Sequence, residues 1–79
     1  MKLSYDLQKN IAYITLKEGV PEVESVQVGA DLAVDLAPDG TVVGIEFLNA
    51  GDQLRGSNAG EFLFVNEASG AVTALPLPA

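Results

Sequence analysis

Nucleophilic catalysis is the first chemistry to consider for this sequence, and its usual base is absent. A serine nucleophile commonly needs a histidine to accept its proton, and the chain contains no histidine. A serine–lysine pair remains as an alternative, with Ser4, Ser25, Ser57 and Ser69 as the candidate serines. Because the lysines cluster near the N-terminus, only Ser4 lies close to them in the sequence. Cysteine is also absent, which excludes disulfide bonds and thiolate metal sites.

Carboxylates are the other groups that could do chemistry, and the chain has eleven of them. A carboxylate pair that hydrolyses glycosides needs a deep cleft in which one pKa is raised, and 79 residues leave little room for one. Calcium accepts oxygen ligands, but Asp35 and Asp39 lack the spacing of an EF-hand loop. We therefore interpret Asp31, Asp35 and Glu46 as the solvated faces of two paired strands. No catalytic residue, metal ion or cofactor is expected.

The charge distribution restricts the partners of the chain. Its net charge is −7, and the four cations other than the N-terminus face eleven acids. Three lysines lie within residues 1–17, whereas Arg55 is the one cation of the remaining sequence. Nucleic-acid binding needs cations that displace phosphate counterions, so this balance argues against it. A basic protein partner or simple solubility fits better.

The length of the chain predicts one domain, spanning residues 1–79. A chain of this size buries only ~60 % of the surface that its unfolded form exposes, and small domains often need an additional stabilising device. With disulfides excluded and zinc not expected, self-association is the device to look for first. No apolar stretch approaches the ~18 residues of a transmembrane helix, and the N-terminus does not resemble a secretory signal. We expect a cytoplasmic location.

The elements that must position these residues are strands, because hydrophobic residues recur with a period of two. The pattern predicts strands over residues 2–6, 11–16, 24–28, 31–36, 41–48, 61–65 and 71–75. Turn residues group most of them into three antiparallel hairpins. The hairpins share a turn plan in which Asp6, Asp35 and Asn66 open the turns and Asn10, Gly40 and Gly70 close them. One short helical turn is expected near 52–55, with Asp52 as its N-cap and Gly56 past its end.

Aromatic residues mark two candidate contact surfaces. Tyr5 and Tyr13 lie on adjacent predicted strands, where they either pack across the strands with their hydroxyls at the surface or form a contact surface beside the lysines. Phe62 and Phe64 alternate with apolar neighbours, which leaves apolar side chains on both faces of one strand. A strand covered on both sides implies a second layer or a partner, so we expect a homo-oligomer as one solution.

The first fifty residues resemble a known family. Three segments resemble, in their order and spacing, the family called domain of unknown function 2283. They are the opening Lys-Leu-Ser-Tyr-Asp, the Asn-Ile-Ala-Tyr-Ile that starts at residue 10, and the run from Asp39 to Ala50. Its members are short bacterial and archaeal proteins that commonly carry Asp where this chain has Asn10. The resemblance implies a small β-rich domain and supplies no catalytic residue. Some members also look like the acidic halves of two-gene modules with a toxin-like neighbour.

Together these observations predict an all-β or β-dominated α+β domain, with three antiparallel hairpins forming a small sandwich or open barrel. The leading functional hypothesis is a non-enzymatic interaction or structural module that associates with itself through its sheet faces or edges. An antitoxin-like acidic protein that neutralises a basic partner is the alternative, and an enzyme acting through carboxylates ranks last. The expected interaction surface consists of Tyr5, Tyr13, Phe62, Phe64, Asp31, Asp35 and Glu46.

Overall fold

Strands dominate the chain, as the sequence predicts. The computed structural model describes residues 1–55 and 60–78, in which seven strands and one short helix follow one another. They are β1 (Lys2–Asp6), β2 (Ile11–Thr15), β3 (Glu24–Gly29), β4 (Leu32–Leu36), β5 (Val42–Leu48), α1 (Ala50–Leu54), β6 (Glu61–Val65) and β7 (Val72–Pro76). Two residues considered above, Gly56 and Ser57, lie outside the described residues.

The strands form two separate antiparallel sheets. Five of them follow the order β1-β2-β5-β4-β3, and β6 pairs with β7 alone. All three predicted hairpins are present: β1–β2, β4–β5 and β6–β7. The longest strand, β5, lies at the centre of the five-stranded sheet and pairs on both sides. The described strands do not close into a barrel.

Two of the three turns follow the predicted plan in full, and the third follows it only at Gly40, which closes the turn with φ of 86°. Asp6 Oδ1 accepts the main-chain N–H groups of Gln8 and Lys9 at 3.0 and 3.1 Å, and Asn10 closes that turn with φ of 57°. Asn66 and Gly70 act alike in the β6–β7 turn. The predicted turn role of Asp35 is wrong, because its carboxylate bonds side chains on the sheet.

The helix begins earlier than predicted. It spans Ala50–Leu54, and the residue before it is Asn49, which has left-handed φ of 51° and makes no side-chain cap bond. Asp52 is therefore in the first turn and is not the N-cap. A helix this short is not stable alone, so contacts with the sheet must hold it. Asn10 supplies two of them, because its carbonyl oxygen accepts the N–H of Ala50 at 2.9 Å and its side-chain oxygen accepts that of Gly51 at 2.8 Å.

The core of the described residues is small. Its buried apolar residues are Ala12, Ala33, Val43 and Ala50, and no large side chain is fully buried. The register places eight mainly apolar residues of β1, β2, β4 and β5 on one face of the sheet, which we call the apolar face: Leu3, Tyr5, Ala12, Ile14, Leu32, Val34, Ile45 and Phe47. The helix packs near β2, which buries Ala12 and Ala50, but most of this face is only half-buried.

Candidate interaction surface

Tyr13 lies across the opposite, polar face and connects strands that are not neighbours. Its strand β2 pairs with β5, and its ring passes over Gly44 of β5 to reach β4. There the Tyr13 hydroxyl donates a 2.7 Å hydrogen bond to Asp35 Oδ2. The hydroxyl of Ser25, on β3, donates to Asp35 Oδ1 at 2.5 Å. We call these three side chains the tyrosine–aspartate network, and it ties β2, β4 and β3 together over the glycine of β5.

The network fixes the protonation state of Tyr13. Burial, the hydrogen bond to Asp35 and the negative charges of Asp35 and Glu46 together raise the pKa of this phenol from 10.0 to about 12, with burial the largest cause. The group is therefore a neutral hydrogen-bond donor at physiological pH. A phenol with so high a pKa is a poor general base or nucleophile, because its anion is scarcely populated. The role that fits this network is structural, because its hydrogen bonds hold three strands in place.

Gly44 makes the crossing possible and is not among the residues that the sequence predicts to be functional. A Cβ atom at this position would overlap the Tyr13 hydroxyl and ring, with ring atom Cε1 at 2.6 Å. Its backbone φ is not in the left-handed region, so space and not conformation requires a glycine here. A glycine within the longest apolar strand was the available signal, since glycines inside strands often mark close approach of another group.

The three candidate acids of the sheet lie in different surroundings. Glu46 is directly opposite Tyr13 in the register of the polar face, and Asp35 lies on the same face. Asp31 lies one residue before β4, and its carbonyl oxygen accepts the main-chain N–H of Leu48 at 2.9 Å, which continues the β4–β5 pairing. Asp35 is not a freely solvated acid, since both of its oxygens accept hydrogen bonds.

Asp39 has the turn role that the sequence indicates. Its Oδ1 accepts the main-chain N–H of Thr41 at 3.0 Å and the Thr41 hydroxyl at 2.7 Å. Both bonds favour the carboxylate and lower the Asp39 pKa below its usual 3.8. Within residues 1–55 and 60–78, no three acidic, histidine or cysteine side chains are grouped in a way that could hold a metal ion.

The two tyrosines do not form one surface. Tyr5 pairs with Ala12 on the apolar face, whereas Tyr13 pairs with Ser4 on the polar face. The expectation of a surface hydroxyl is wrong for Tyr5, whose hydroxyl is buried and finds no partner among the described residues. The Tyr13 hydroxyl is bonded within the part-buried network. The Arg55 guanidinium carbon lies 5.8 Å from the centre of the Tyr5 ring. That distance is within the range of a cation–π contact.

An open apolar groove lies where the β6–β7 hairpin meets the apolar face. Its volume is about 410 Å³. Leu3, Tyr5 and Ile14 of the sheet line one side, and Phe62 and Leu75 of the hairpin line the other. The groove brings together two predicted surface residues from distant parts of the sequence, Tyr5 and Phe62. The sequence pattern could not reveal this, because nothing in it relates the hairpin to β1.

The β6–β7 hairpin exposes apolar side chains on both of its faces. Every residue of both strands is exposed, and the exposed fraction of Phe64 reaches 59%. The register assigns the residues of the hairpin to two faces. One face carries Phe62, Phe64, Leu75 and Thr73, and the opposite face carries Leu63, Val65, Ala74 and Val72. The prediction of apolar residues on both sides of this strand is confirmed. Clustered apolar exposure of this kind typically marks an interaction site.

These features define a small β-sheet protein with one polar face closed by its own side chains and one apolar face left open. A family model described as protein of unknown function (DUF2283) matches residues 2–50, and the chain belongs to that family. The match covers the five-stranded sheet and ends at the first residue of α1. No curated protein and no solved structure matches the chain. No described helix is long and apolar enough to cross a membrane.

Proposed function

We propose that this protein is a non-enzymatic interaction module that associates with copies of itself through the apolar face and the β6–β7 hairpin. The observation that carries the proposal is the amount of surface left exposed. A folded monomer of 8.2 kDa has an accessible surface of ~4,500 Å². This chain exposes 5468 Å², an excess of roughly 900 Å². Each partner in a dimer of standard size buries ~800 Å².

The dimensions of the chain support the same conclusion. Its radius of gyration is 14.0 Å, whereas a compact domain of this length has one of about 12 Å. The exposed excess is apolar in character, since the half-buried residues of the apolar face and the exposed residues of the hairpin are mainly Val, Leu, Ile and Phe. Association would supply the second layer that a one-sided sheet needs to bury its hydrophobic face.

Sedimentation equilibrium over about a hundredfold range of concentration tests the proposal. We expect dimers or larger closed assemblies that dissociate on dilution. Replacing Phe64→Ser should weaken association while leaving each subunit folded, because this side chain is already exposed within its own chain. Glu67→Ser is the matched control, since it alters an exposed residue of the same hairpin at the polar turn. A wild-type protein that stays monomeric throughout would contradict the proposal.

The antitoxin-like alternative has less structural support. It assigns partner binding to Asp31, Asp35 and Glu46, yet Asp35 uses both carboxylate oxygens within the tyrosine–aspartate network. An electrostatic neutraliser needs carboxylates that are free to meet cations. The test is the affinity of a lysine-rich peptide at low salt for the wild type and for a variant with Asn or Gln at these three positions. An equal affinity would remove the alternative.

A further inference from the structure

The outer edge of β6 differs from the other sheet edges of the described residues. The edge strand β1 carries charges at both ends, β3 has a register irregularity after Gln27, and β7 ends in Pro76, with Pro78 following. Charges, bulges and prolines are the usual means by which proteins protect an edge from pairing. Strand β6 has one charge, Glu61, at its first position, and no proline. Its interior, Phe62–Val65, is wholly apolar.

The hydrogen bonds of the hairpin show which main-chain groups face outward. The N–H of Asn66 donates to the carbonyl of Ala71 at 2.8 Å, and that of Leu77 donates to Gly60 at 2.7 Å. Because bonded and non-bonded pairs alternate along an antiparallel ladder, the inward-bonding residues of β6 are Phe62 and Phe64. The outward-facing residues are therefore Glu61, Leu63 and Val65 on β6 and Val72, Ala74 and Pro76 on β7. Pro76 thus blocks the outer edge of β7 without disturbing the hairpin.

We propose that β6 pairs with β6 of a second copy, antiparallel and about a twofold axis at Leu63, so that the two hairpins form one four-stranded sheet. This proposal rests on the proposed function and names the element through which self-association occurs. An isolated two-stranded hairpin is only marginally stable in water, whereas a sheet of four strands with an apolar face can be stable on its own. The hairpin of a single chain has no third strand among the described residues, and a second copy supplies two.

The sequence of β6 is complementary to itself in this register. Leu63 lies opposite the partner's Leu63, and Glu61 lies opposite the partner's Val65. The two Glu61 carboxylates are then at opposite ends of the seam, roughly 14 Å apart along the strand, so like charges do not meet. All three outward-facing residues become hydrogen-bonded pairs, which gives on the order of six main-chain bonds between the chains.

The same register explains the apolar groove. Phe62 lies opposite the partner's Phe64, and both point to the hairpin face on which Phe62 and Leu75 line the groove. The most exposed aromatic residue of each hairpin is thereby placed beside the groove of the other subunit, against Leu3 and Ile14. The assembly is closed, because both β6 edges are used and the remaining outer edges are those that Pro76 blocks.

A pair of proline variants tests the seam. Leu63→Pro removes an outward-facing N–H, so the bonds within the hairpin remain, but the two central bonds between chains are lost. We expect dimerisation to weaken at least about thirtyfold, from the loss of two hydrogen bonds. Ala74→Pro is the matched control, because Ala74 is the residue paired with Leu63 and its N–H faces the outer edge of β7. This variant should dimerise like the wild type.

Cross-linking keeps the test decisive if Leu63→Pro unfolds the hairpin. Because the chain has no cysteine, Leu63→Cys introduces a single thiol, and the twofold seam places it opposite its own copy at ~5.5 Å between Cα atoms. Oxidation should give a disulfide-linked dimer for Leu63→Cys and none for Ala74→Cys. If the wild type dimerises but Leu63→Cys forms no disulfide, or Ala74→Cys forms one instead, the proposed β6–β6 pairing is wrong. Self-association as such would still be supported. A monomeric wild type overturns both.

Discussion

Gly44→Ala is the substitution that tests the tyrosine–aspartate network most directly. The added methyl group would overlap the Tyr13 hydroxyl and ring, so the ring must swing away from β5. Doing so breaks the 2.7 Å hydrogen bond between Tyr13 and Asp35, because the hydroxyl that makes this bond lies directly over residue 44. The backbone itself tolerates alanine, since φ at residue 44 is not positive.

Two opposing effects determine the size of the change. A hydrogen bond to a charged group contributes ~1.5–3 kcal/mol, and this one is only part-buried, so the lower end applies. Alanine in place of glycine reduces the entropy of the unfolded chain and stabilises by ~0.4–1 kcal/mol where the backbone conformation is compatible. We therefore expect Gly44→Ala to lower the free energy of unfolding by about 1 kcal/mol.

The sign of the effect should reverse when the tyrosine ring is removed. In a Tyr13→Val background the methyl group meets no ring, so Gly44→Ala should stabilise by ~0.4–1 kcal/mol. Urea unfolding at one fixed protein concentration measures both differences, because association otherwise shifts apparent stability. Gly29→Ala is the control in the wild type, since a Cβ atom there meets nothing within 4 Å and it should be neutral or stabilising. Equal destabilisation by Gly44→Ala in both backgrounds would refute the proposed crossing.

Two titrations follow from the pKa shifts. The Tyr13 pKa is raised to about 12, so the contribution of this group to stability is complete below pH 10 and is lost as the pH rises through 12. The difference in phenolate absorbance between the wild type and Tyr13→Phe should therefore have its midpoint near pH 12. A midpoint near pH 10 would contradict the network. The Asp39 pKa is lowered, so its contribution is present above pH 3.8 and is lost as pH falls below it. Carboxyl NMR should show the Asp39 pKa rising in Thr41→Val, and an unchanged value would mean that Thr41 does not set it.

Local patterns predicted the strands and hairpins because the responsible forces act between near neighbours. Alternation predicted β1, β3 and β4, the β-branched and aromatic residues of β2 predicted that strand, and the Pro-Asp-Gly turn predicted the β4–β5 hairpin. The position of β5 between β2 and β4 was not predictable from such signals, since β2 and β5 are joined by no turn of their own. The earlier start of α1 has a similar cause, because Asn10 holds it from a distant part of the chain.

The candidate surface was predicted in its residue types but not in its grouping. Alternation assigned Tyr5 and Tyr13 to adjacent strands, yet whether two such residues share a face depends on the pairing register. In the register found here they lie on opposite faces, and each meets a different partner. The local pattern predicts a solvated acid at Asp35, because it contains no sign of the diagonal approach of Tyr13 across Gly44.

The polar and apolar faces of this sheet explain why association should involve the hairpin. On the polar face, Tyr13, Asp35 and Ser25 satisfy one another across four strands, so that face gains little from a partner. The apolar face has no such closure, and the family match ends at residue 50, where the covering elements begin. The hairpin over residues 61–76 reaches only the β1 side of that face. Since it also exposes apolar side chains outward, the proposed joining of two hairpins would bury apolar surface that each chain exposes.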